Sequence, residues 1–390
     1  MQYNFDEIID RRDTGAMKTD VDCNQLPLGD GALSMWIADM DFACAPAIIE
    51  AIKCSADRRI FGYTRFGACC YFDALCDYYE RRHRWHIDPA DIVYSCGVVS
   101  ALEAIVGEFS NKGDGIVIQP PVYPPFERMV RERERRVVEN PLVRLGNHYE
   151  MDFADLRKKI SQPGVSMMIL CSPHNPVGRV WTRDELKTVY DICTEHGVLL
   201  VCDEIHCDLT RGWVEHIPLL RLLPNAQNII VNTAPSKTFN LAGLGVSHAI
   251  IPNPMLRARA FNAIGDLIIN PISVAAVRAA FSECDEWLDE LCSYLDGNFA
   301  LLRELLLREL PLSSMVETEG SYLAWVDFSA YRSNSAKFES ELVEKAALSL
   351  EAGSRFGAQG EGFLRINLAC PRATIEQAVT RISGVINGVE

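Results

Sequence analysis

Several signatures of membrane, secreted and nucleic-acid-binding proteins are missing from these 390 residues. No apolar run reaches the length that crosses a bilayer, and the first residues lack a basic segment followed by an apolar one. Neither a membrane span nor a secretory signal is therefore expected. Acidic residues outnumber basic ones by 53 to 38, and the net charge of −15 argues against a nucleic-acid partner or an anionic membrane surface. Internal repeats and low-complexity linkers are also absent.

Cysteine is plentiful, but its spacing lacks the pattern of a zinc site. The 14 cysteines are scattered, and none forms a Cys-x-x-Cys pair with a matching second pair, so we expect no bound metal. Several cysteines lie inside apolar runs, where a buried free thiol is the simplest interpretation. This usage predicts a reducing, cytoplasmic compartment.

Short apolar runs alternate with helical patterns over roughly residues 90–250, which predicts crossover units and a mainly parallel sheet covered by helices. After residue 285, long helical patterns precede two strand-like runs, as in a smaller α+β domain. We predict an N-terminal arm (1–45) that contributes to the small domain and a substrate loop. A large domain (46–285) and a small C-terminal domain (286–390) follow.

Several residues that could bind a ligand or take part in catalysis follow the ends of different predicted strands. These residues are Gly97, Tyr123, Asn175, Asp203 and Lys237. In parallel sheets, ligands bind beyond the carboxyl ends of the strands, so we expect these side chains to meet at one site.

Lys237 follows the apolar run 229–231 and has a hydroxyl beside it, in Ser236. Burial of a lysine lowers its pKa, and the neutral amine is the form that makes Schiff bases. A solvated surface lysine is the commoner interpretation of a Ser-Lys pair, so the hypothesis of a reactive amine depends on the rest of the chain.

The other candidates also have plainer interpretations. Gly97 stands between a predicted strand and a predicted helix, which suits either a phosphate site or an ordinary turn. Tyr123 could stack on a planar ring or fill the core, and Asn175 could contact a ligand or form a turn. Asp203 and His206 could bind a metal, but no second histidine pattern supports that.

Four motifs in this order resemble the fold-type I pyridoxal-phosphate (PLP) enzymes related to aminotransferases: residues 175–178, residues 203–206, Ser236 with Lys237, and Arg365. The stretches 35–42, 171–181, 203–208 and 234–243 resemble the C–S lyase, or cystathionine β-lyase-like, subfamily more closely. The resemblance spans nearly the whole chain. It implies a large domain with a seven-stranded, mainly parallel sheet and a smaller α+β C-terminal domain.

The resemblance implies roles for the residues that surround the cofactor ring. Lys237 would bind PLP covalently and then act as the base at the substrate Cα. Asp203 would pair with the pyridine nitrogen, while Asn175 and His206 would flank the phenolic oxygen. Tyr123, which the resemblance places with Lys237 among the catalytic residues, would stack on the ring.

Further roles concern the phosphate and the substrate. The phosphate would be held by Gly97, Val98, Val99, Ser236 and Tyr63 of the partner subunit, which implies a homodimer. Arg365 would bind the substrate α-carboxylate, and Trp36 and Ala38 belong to a loop, 36–39, that would close over the substrate. Many relatives carry an arginine eight positions after the lysine, where this chain has Gly245.

The implied activity is β-elimination from L-cystathionine or related cysteine S-conjugates, giving pyruvate, ammonia and a thiol. The alternatives are an aminotransferase on the same scaffold, which Gly245 disfavours, and a PLP-binding regulatory protein with lyase activity as a side trait. The expected ligand is a small-molecule amino-acid substrate, and the regulatory alternative would in addition bind a partner.

Overall fold

The computed structural model describes residues 2–29, 31–64 and 70–388. The helices in this part of the chain are α1 (Met17–Asp20), α2 (Pro46–Asp57), α3 (Tyr71–His83), α4 (Val98–Phe109), α5 (Pro124–Glu132), α6 (Phe153–Ile160), α7 (Arg183–Glu195), α8 (Leu219–Leu222), α9 (Pro235–Thr238), α10 (Pro254–Ile264), α11 (Pro271–Glu283), α12 (Asp285–Glu309), α13 (Ser335–Ala346) and α14 (Arg372–Asn387). None of these helices combines the length and the apolar character that a membrane crossing needs.

The strands in the same ranges are mostly short. They are β1 (Leu33–Ser34), β2 (Ile92–Ser95), β3 (Gly115–Ile118), β4 (Arg136–Glu139), β5 (Val143–Leu145), β6 (His148–Glu150), β7 (Val165–Cys171), β8 (Leu199–Asp203), β9 (Ile229–Thr233), β10 (Ser247–Ile250), β11 (Ser314–Met315), β12 (Leu323–Asp327), β13 (Leu348–Ser349), β14 (Glu351–Ala352) and β15 (Phe363–Asn367).

A sheet of seven of the described strands, in the order β2-β10-β9-β8-β7-β3-β4, forms the centre of the larger part of the molecule. Strands β9, β8, β7, β3 and β4 pair in parallel, whereas β10 runs antiparallel to both of its neighbours. The predicted α/β class with a mainly parallel, seven-stranded sheet is therefore confirmed.

Side chains of the central strand alternate between two apolar layers, as a strand buried on both faces requires. Leu200 of β8 packs in the layer that includes Leu186 of α7. Val201, the next residue, packs in the layer that includes Leu102 of α4 and Phe126 of α5. Helices therefore cover both faces and leave the strand ends as the open edge.

The smaller sheet, β11-β12-β15-β14, is antiparallel. Leu364 and Ile366 of β15 face the apolar layer that includes Ile375 of α14, whereas Phe363 packs in the layer shared with the large sheet. This agrees with the sequence pattern, which predicts Leu364, Ile366 and Leu368 on one face of the strand and Phe363, Arg365 and Asn367 on the other. Strand β1 of the N-terminal arm pairs with β13, and the predicted domain boundaries at 45 and 285 stay a prediction.

Two local expectations were incomplete. The charge run at residues 131–136 predicts a solvated helix end, but α5 ends at Glu132 and β4 begins at Arg136. Among the described strands, β4 pairs only with β3, and it exposes both of its terminal residues, so it has little apolar periodicity. Lys237, expected just after a strand end, lies in the short helix α9.

Replacing a side chain in the central strand should destabilise the fold. Leu200 is fully buried, so we expect Leu200→Ala to lower the free energy of unfolding by about 2–5 kcal/mol through lost contacts and a cavity. Leu307→Ala is the matched control, because that side chain is 67% exposed. Thermal unfolding midpoints measure both effects, and equal midpoints for the two variants would contradict the assignment of β8 to the core.

Candidate active site

A cavity of about 750 Å³ lies at the carboxyl ends of the parallel strands. The strand register aligns Cys171 at the end of β7 with Asp203 at the end of β8, and Asp203 with Asn232 of β9. Nearly all of the predicted site residues line this cavity: Trp36, Ala38, Gly97, Val98, Val99, Tyr123, Asn175, Asp203, His206, Ser236, Lys237 and Arg365. The exception is Tyr63.

The amine of Lys237 is held inside the cavity by the N-terminal arm. Its Nζ donates a hydrogen bond to the carbonyl oxygen of Ala38 at 2.6 Å, and the same oxygen accepts from the Tyr322 hydroxyl at 2.9 Å. Burial and the positive charge of Arg365 together lower the pKa of Lys237 to about 8, against the opposing charges of Asp39 and Asp203. A substantial fraction of the amine is therefore neutral, and nucleophilic, near physiological pH.

Asp203, the last residue of β8, is only 4% exposed. Burial raises the pKa of its carboxyl group to about 7, although the backbone N–H of Ile205 donates to it at 3.1 Å and the charge of Lys237 favours ionisation. The ionised form of such a buried carboxyl group is stabilised when a protonated nitrogen comes within hydrogen-bonding distance. Asp203 is therefore suited to pair with a heterocyclic nitrogen.

The N-terminus of α4 forms an anion-binding end of the cavity. The first backbone bond of this twelve-residue helix runs from Ala101 N to Gly97 O, at 3.0 Å, so the N–H groups of Val98, Val99 and Ser100 precede the helical ladder. All three residues line the cavity. Free N–H groups and the positive end of the helix dipole favour a phosphate there.

Gly245 lines the same end of the cavity, and its backbone explains why arginine is disfavoured at this position. Its φ is 59°, in the left-handed region that favours glycine. A Cβ atom there would lie 3.3 Å from the carbonyl oxygen of Cys96. A phosphate in this chain would therefore be bound by helix N–H groups and the Ser236 hydroxyl, without an arginine from position 245.

Arg365 contributes a positive charge to the wall of the cavity. Its side chain donates from Nη1 to Asn175 Oδ1 at 3.2 Å and from Nη2 to the Trp36 carbonyl at 2.7 Å, and it forms an ion pair with Glu351. The guanidinium lies over the ring of Phe356, 5.0 Å from its centroid. Its buried Nε has no partner among the described residues, so a donor remains for an incoming carboxylate.

The segment 36–41 carries the two backbone carbonyls that contact Lys237 and Arg365. Asn367 of β15 holds this segment by donating from Nδ2 to the carbonyls of Ile37 and Asp39, at 2.7 and 2.6 Å. The buried amine of Lys18 contacts Asp41 at 2.8 Å. The predicted substrate loop therefore forms a fixed wall of the cavity.

Tyr123 and His206 complete the walls that a planar ring would contact. Tyr123 directly precedes α5, and its ring meets Phe126 edge-on at 5.7 Å between centroids. Burial raises the pKa of its phenol, so the side chain stays neutral. Burial lowers the pKa of His206 to about 3, and its Nδ1 has no hydrogen-bond partner in the described part of the chain.

Comparison with known proteins identifies the family of this chain. The model of the family "Aminotransferase class I and II" matches residues 33–382, most of the chain. The chain belongs to this family.

Similar proteins in this family match the chain along its whole length. Cystathionine beta-lyase PatB of Bacillus subtilis is 41% identical over 390 residues, which cover 98% of this chain and 100% of that protein. The crystal structure of cystalysin from Treponema denticola, which contains pyridoxal 5'-phosphate, superposes with a TM-score of 0.95 at 34% identity, covering 100% of both chains. The PLP-bound C–S lyase of Staphylococcus hominis, complexed with L-cycloserine, has a TM-score of 0.93 at 36% identity, covering 99% and 98%.

Tyr63 stands apart from the cavity of this aminotransferase-family chain. Its side chain is 90% exposed and does not line the cavity, so its contact with a phosphate stays a prediction. The neighbouring positions 65–69 lie outside the described residues.

Besides Arg128, sequence reasoning missed two further charged residues of the cavity, Glu351 and Arg355. Glu351 stands directly opposite Arg365 in the pairing of β14 with β15. Strand β14 is only two residues long, so no periodic pattern marks it. The sequence contains no signal that could have found either residue.

A buried hydrogen-bond network supports the turn that carries Lys237. Asp208 accepts from His83 Nε2 and from Thr238 Oγ1, both at 2.7 Å, and these partners lower the pKa of Asp208 to about 2 against the effect of burial. Together with Cys207, His83 and Asp208 form a group whose geometry could suit a metal. Because the carboxylate already has two partners, we assign the group a structural role.

The pKa of Lys237 predicts the pH dependence of its reaction with an aldehyde. We expect the rate at which the apoprotein binds PLP covalently to rise with pH and to level off above an inflection near pH 8, since only the neutral amine reacts. Visible absorbance measures this rate. Nα-acetyl-lysine is the control, with an amine pKa of about 10.4. An inflection near pH 10.5 in the protein would contradict the burial of Lys237.

The backbone of Gly245 predicts a cost for any side chain. We expect Gly245→Ala to lower the free energy of unfolding by about 1–2 kcal/mol, because alanine in the left-handed region is strained. Gly243→Ala is the matched control, since a Cβ there meets nothing within 4 Å. Thermal unfolding compares them, and an equal loss in both variants would argue against strain at residue 245.

Proposed function

We propose that this protein is a PLP-dependent carbon–sulfur β-lyase that converts L-cystathionine or related cysteine S-conjugates into pyruvate, ammonia and a thiol. The observation that carries the proposal is the pairing of a partly neutral amine, Lys237, with a buried carboxyl group, Asp203, in one cavity. The similar proteins from Bacillus subtilis and Staphylococcus hominis are named for this chemistry.

The donor set of the cavity fits PLP. Helix α4 and the Ser236 hydroxyl suit the phosphate, and Asp203 suits the ring nitrogen. The amine of Lys237 suits the aldehyde, and His206, whose buried Nδ1 has no partner in the described part of the chain, lines the same cavity and suits a polar ring substituent. When bound, the cofactor supplies an electron-accepting ring that stabilises negative charge at the substrate Cα.

The chain's own residues orient the substrate and move its proton. Arg365 binds the α-carboxylate, using the Nε that has no partner among the described residues, and thereby directs the Cα–H bond toward Lys237. The neutral amine of Lys237 removes the Cα proton. The Cβ–S bond then breaks, and its electron pair leaves with the sulfur. Water hydrolyses the remaining three-carbon enamine to pyruvate and ammonia.

The feature that disfavours an aminotransferase is Gly245, which lies at the expected phosphate site. The left-handed backbone at Gly245 disfavours the arginine that many relatives place there. A lyase needs no second substrate, whereas an aminotransferase needs a keto acid to regenerate its cofactor. The two activities are therefore separable in one assay.

Removing the amine tests the proposed chemistry. We expect the wild-type protein with PLP to release pyruvate from L-cystathionine without any added keto acid. Lys237→Ala should lower this rate by on the order of 10²–10⁴-fold or more, because it removes the general base and the cofactor attachment point. Lys187→Ala is the control, since that lysine is solvated and pairs with Asp191. Absence of pyruvate from every S-substituted cysteine tested would overturn the proposal.

We also propose a cytoplasmic homodimer in which Tyr63 of the partner subunit reaches the phosphate. Ile60, Phe61 and Tyr63 are all largely exposed in the single chain, an apolar surface that a second copy would cover. Every cysteine that the structure describes is a free thiol, which suits a reducing compartment.

Subunit complementation tests the crossing of Tyr63. Tyr63→Ala and Lys237→Ala should each have low activity alone. In a mixed dimer, one site combines an intact Lys237 with Tyr63 of the partner subunit, so we expect activity to reappear when the variants are co-refolded. Pyruvate release measures this rescue. Without rescue in confirmed mixed dimers, Tyr63 acts within its own chain or not at all.

A further inference from the structure

The cavity contains more positive charge than the proposed reaction uses. Four cationic side chains line it. Lys237 carries the cofactor, and Arg365 binds the α-carboxylate. Arg128 and Arg355 have no role in the proposed chemistry, although both face the space that a substrate would occupy.

The guanidinium group of Arg355 is anchored by hydrogen bonds on one edge, and its other edge is available to a ligand. It lies in the turn Gly353–Phe356, and its Nη2 donates to Glu339 at 3.0 Å and to Asn24 Oδ1 at 2.5 Å. Glu339 is only 2% exposed, so this anchor is fixed in the small domain. The Nη1 of Arg355 has no hydrogen-bond partner among the described residues. A guanidinium presents donors on two edges, so Arg355 can bind a second carboxylate while it keeps the first.

Arg128 is held much more loosely. Its side chain is 56% exposed, and its nearest carboxylates, on Glu103 and Glu132, lie 3.8 and 3.9 Å away. Such exposed, long pairs fix a side chain weakly. Of the two unused arginines, Arg355 is therefore the one that is positioned in advance.

The position of Arg355 in the cavity suits contact with the part of the substrate beyond the sulfur. It is four residues from Glu351, which pairs with Arg365, so it belongs to the same wall as the α-carboxylate site. Gln25 of the N-terminal arm also lines the cavity there, next to the Asn24 that holds Arg355. In the proposed function, Arg365 binds the α-carboxylate and the cofactor binds the α-amino group. The sulfur substituent is therefore the part of the substrate that remains to reach this wall.

We infer that Arg355 is a specificity-determining residue that binds a carboxylate carried by the leaving thiol. The inference rests on the proposed lyase function and narrows its substrate class to thioethers whose sulfur substituent ends in a carboxylate, as that of L-cystathionine does. Neutral alkyl conjugates leave the Nη1 edge of Arg355 without a partner. The charge-assisted hydrogen bond therefore favours the acidic substrates.

A pair of isosteric substrates tests the inference. S-(2-carboxyethyl)-L-cysteine and S-(2-carbamoylethyl)-L-cysteine differ only in a carboxylate against a carboxamide. For the wild-type holoenzyme we expect kcat/KM for pyruvate release to favour the carboxylate by roughly ten- to hundredfold, the range of a hydrogen bond to a charged group. Arg355→Gln should bring this ratio close to one by slowing only the carboxylate substrate, and Arg355→Lys should retain part of it.

The controls separate this inference from the lyase proposal and from a merely structural role of Arg355. Turnover of the carboxamide substrate reports the lyase activity and the fold of each variant. Arg128→Gln removes the loosely held cation and should leave the substrate ratio unchanged. A wild-type ratio near one, a ratio that survives in Arg355→Gln, or an equal loss on both substrates in that variant would each overturn the inference. The proposed function is decided separately, by whether the wild type releases pyruvate from either substrate.

Discussion

The removal of Lys237 from water is the physical constraint on which the site depends. An amine in solvent stays protonated, whereas burial and the charge of Arg365 lower the pKa of Lys237 to about 8. The carbonyl of Ala38 accepts a hydrogen bond from this amine and so fixes its direction. Asp203 provides the matching carboxyl group, itself shifted toward neutrality by burial. Two groups that would both be charged in water are thus close to their titration points in the same cavity.

Three separate parts of the chain build this environment. The parallel sheet brings Asp203, Asn175 and the turn with Lys237 to one edge. The small antiparallel sheet contributes Arg365, and the N-terminal arm contributes backbone carbonyls between them. Asn175 and Arg365 are 190 positions apart in sequence, yet share a hydrogen bond of 3.2 Å. The cavity therefore exists only when the large sheet, the small sheet and the arm are all in place.

Much of this arrangement could be predicted because it follows from sheet geometry. The apolar runs of β3 and β7 mark their bounds, and parallel strands must end at a common edge, so the meeting of Asp203 with Lys237 is a consequence of topology. The capping box of α7 is also visible as a local pattern, with Thr182 and Glu185 bonded to each other's backbone.

The rest could not be predicted from local pattern because it depends on tertiary contacts. The carbonyls of Trp36 and Ala38 act through the backbone, so their side chains give no indication of the role. Glu351 lies in a strand too short to show periodicity, and Arg355 lies in the turn that follows it. Arg365 was assigned through family resemblance, since an arginine in an alternating strand has many possible partners.

Identifying the amine that reacts with PLP tests most directly whether Lys237 is the reactive residue. The protein is incubated with PLP, reduced with borohydride and digested, and the modified peptides are identified by mass spectrometry. We expect stoichiometric modification at Lys237, in the peptide that contains Ser236 and Thr238. Modification spread over surface lysines, with Lys237 untouched, would contradict it.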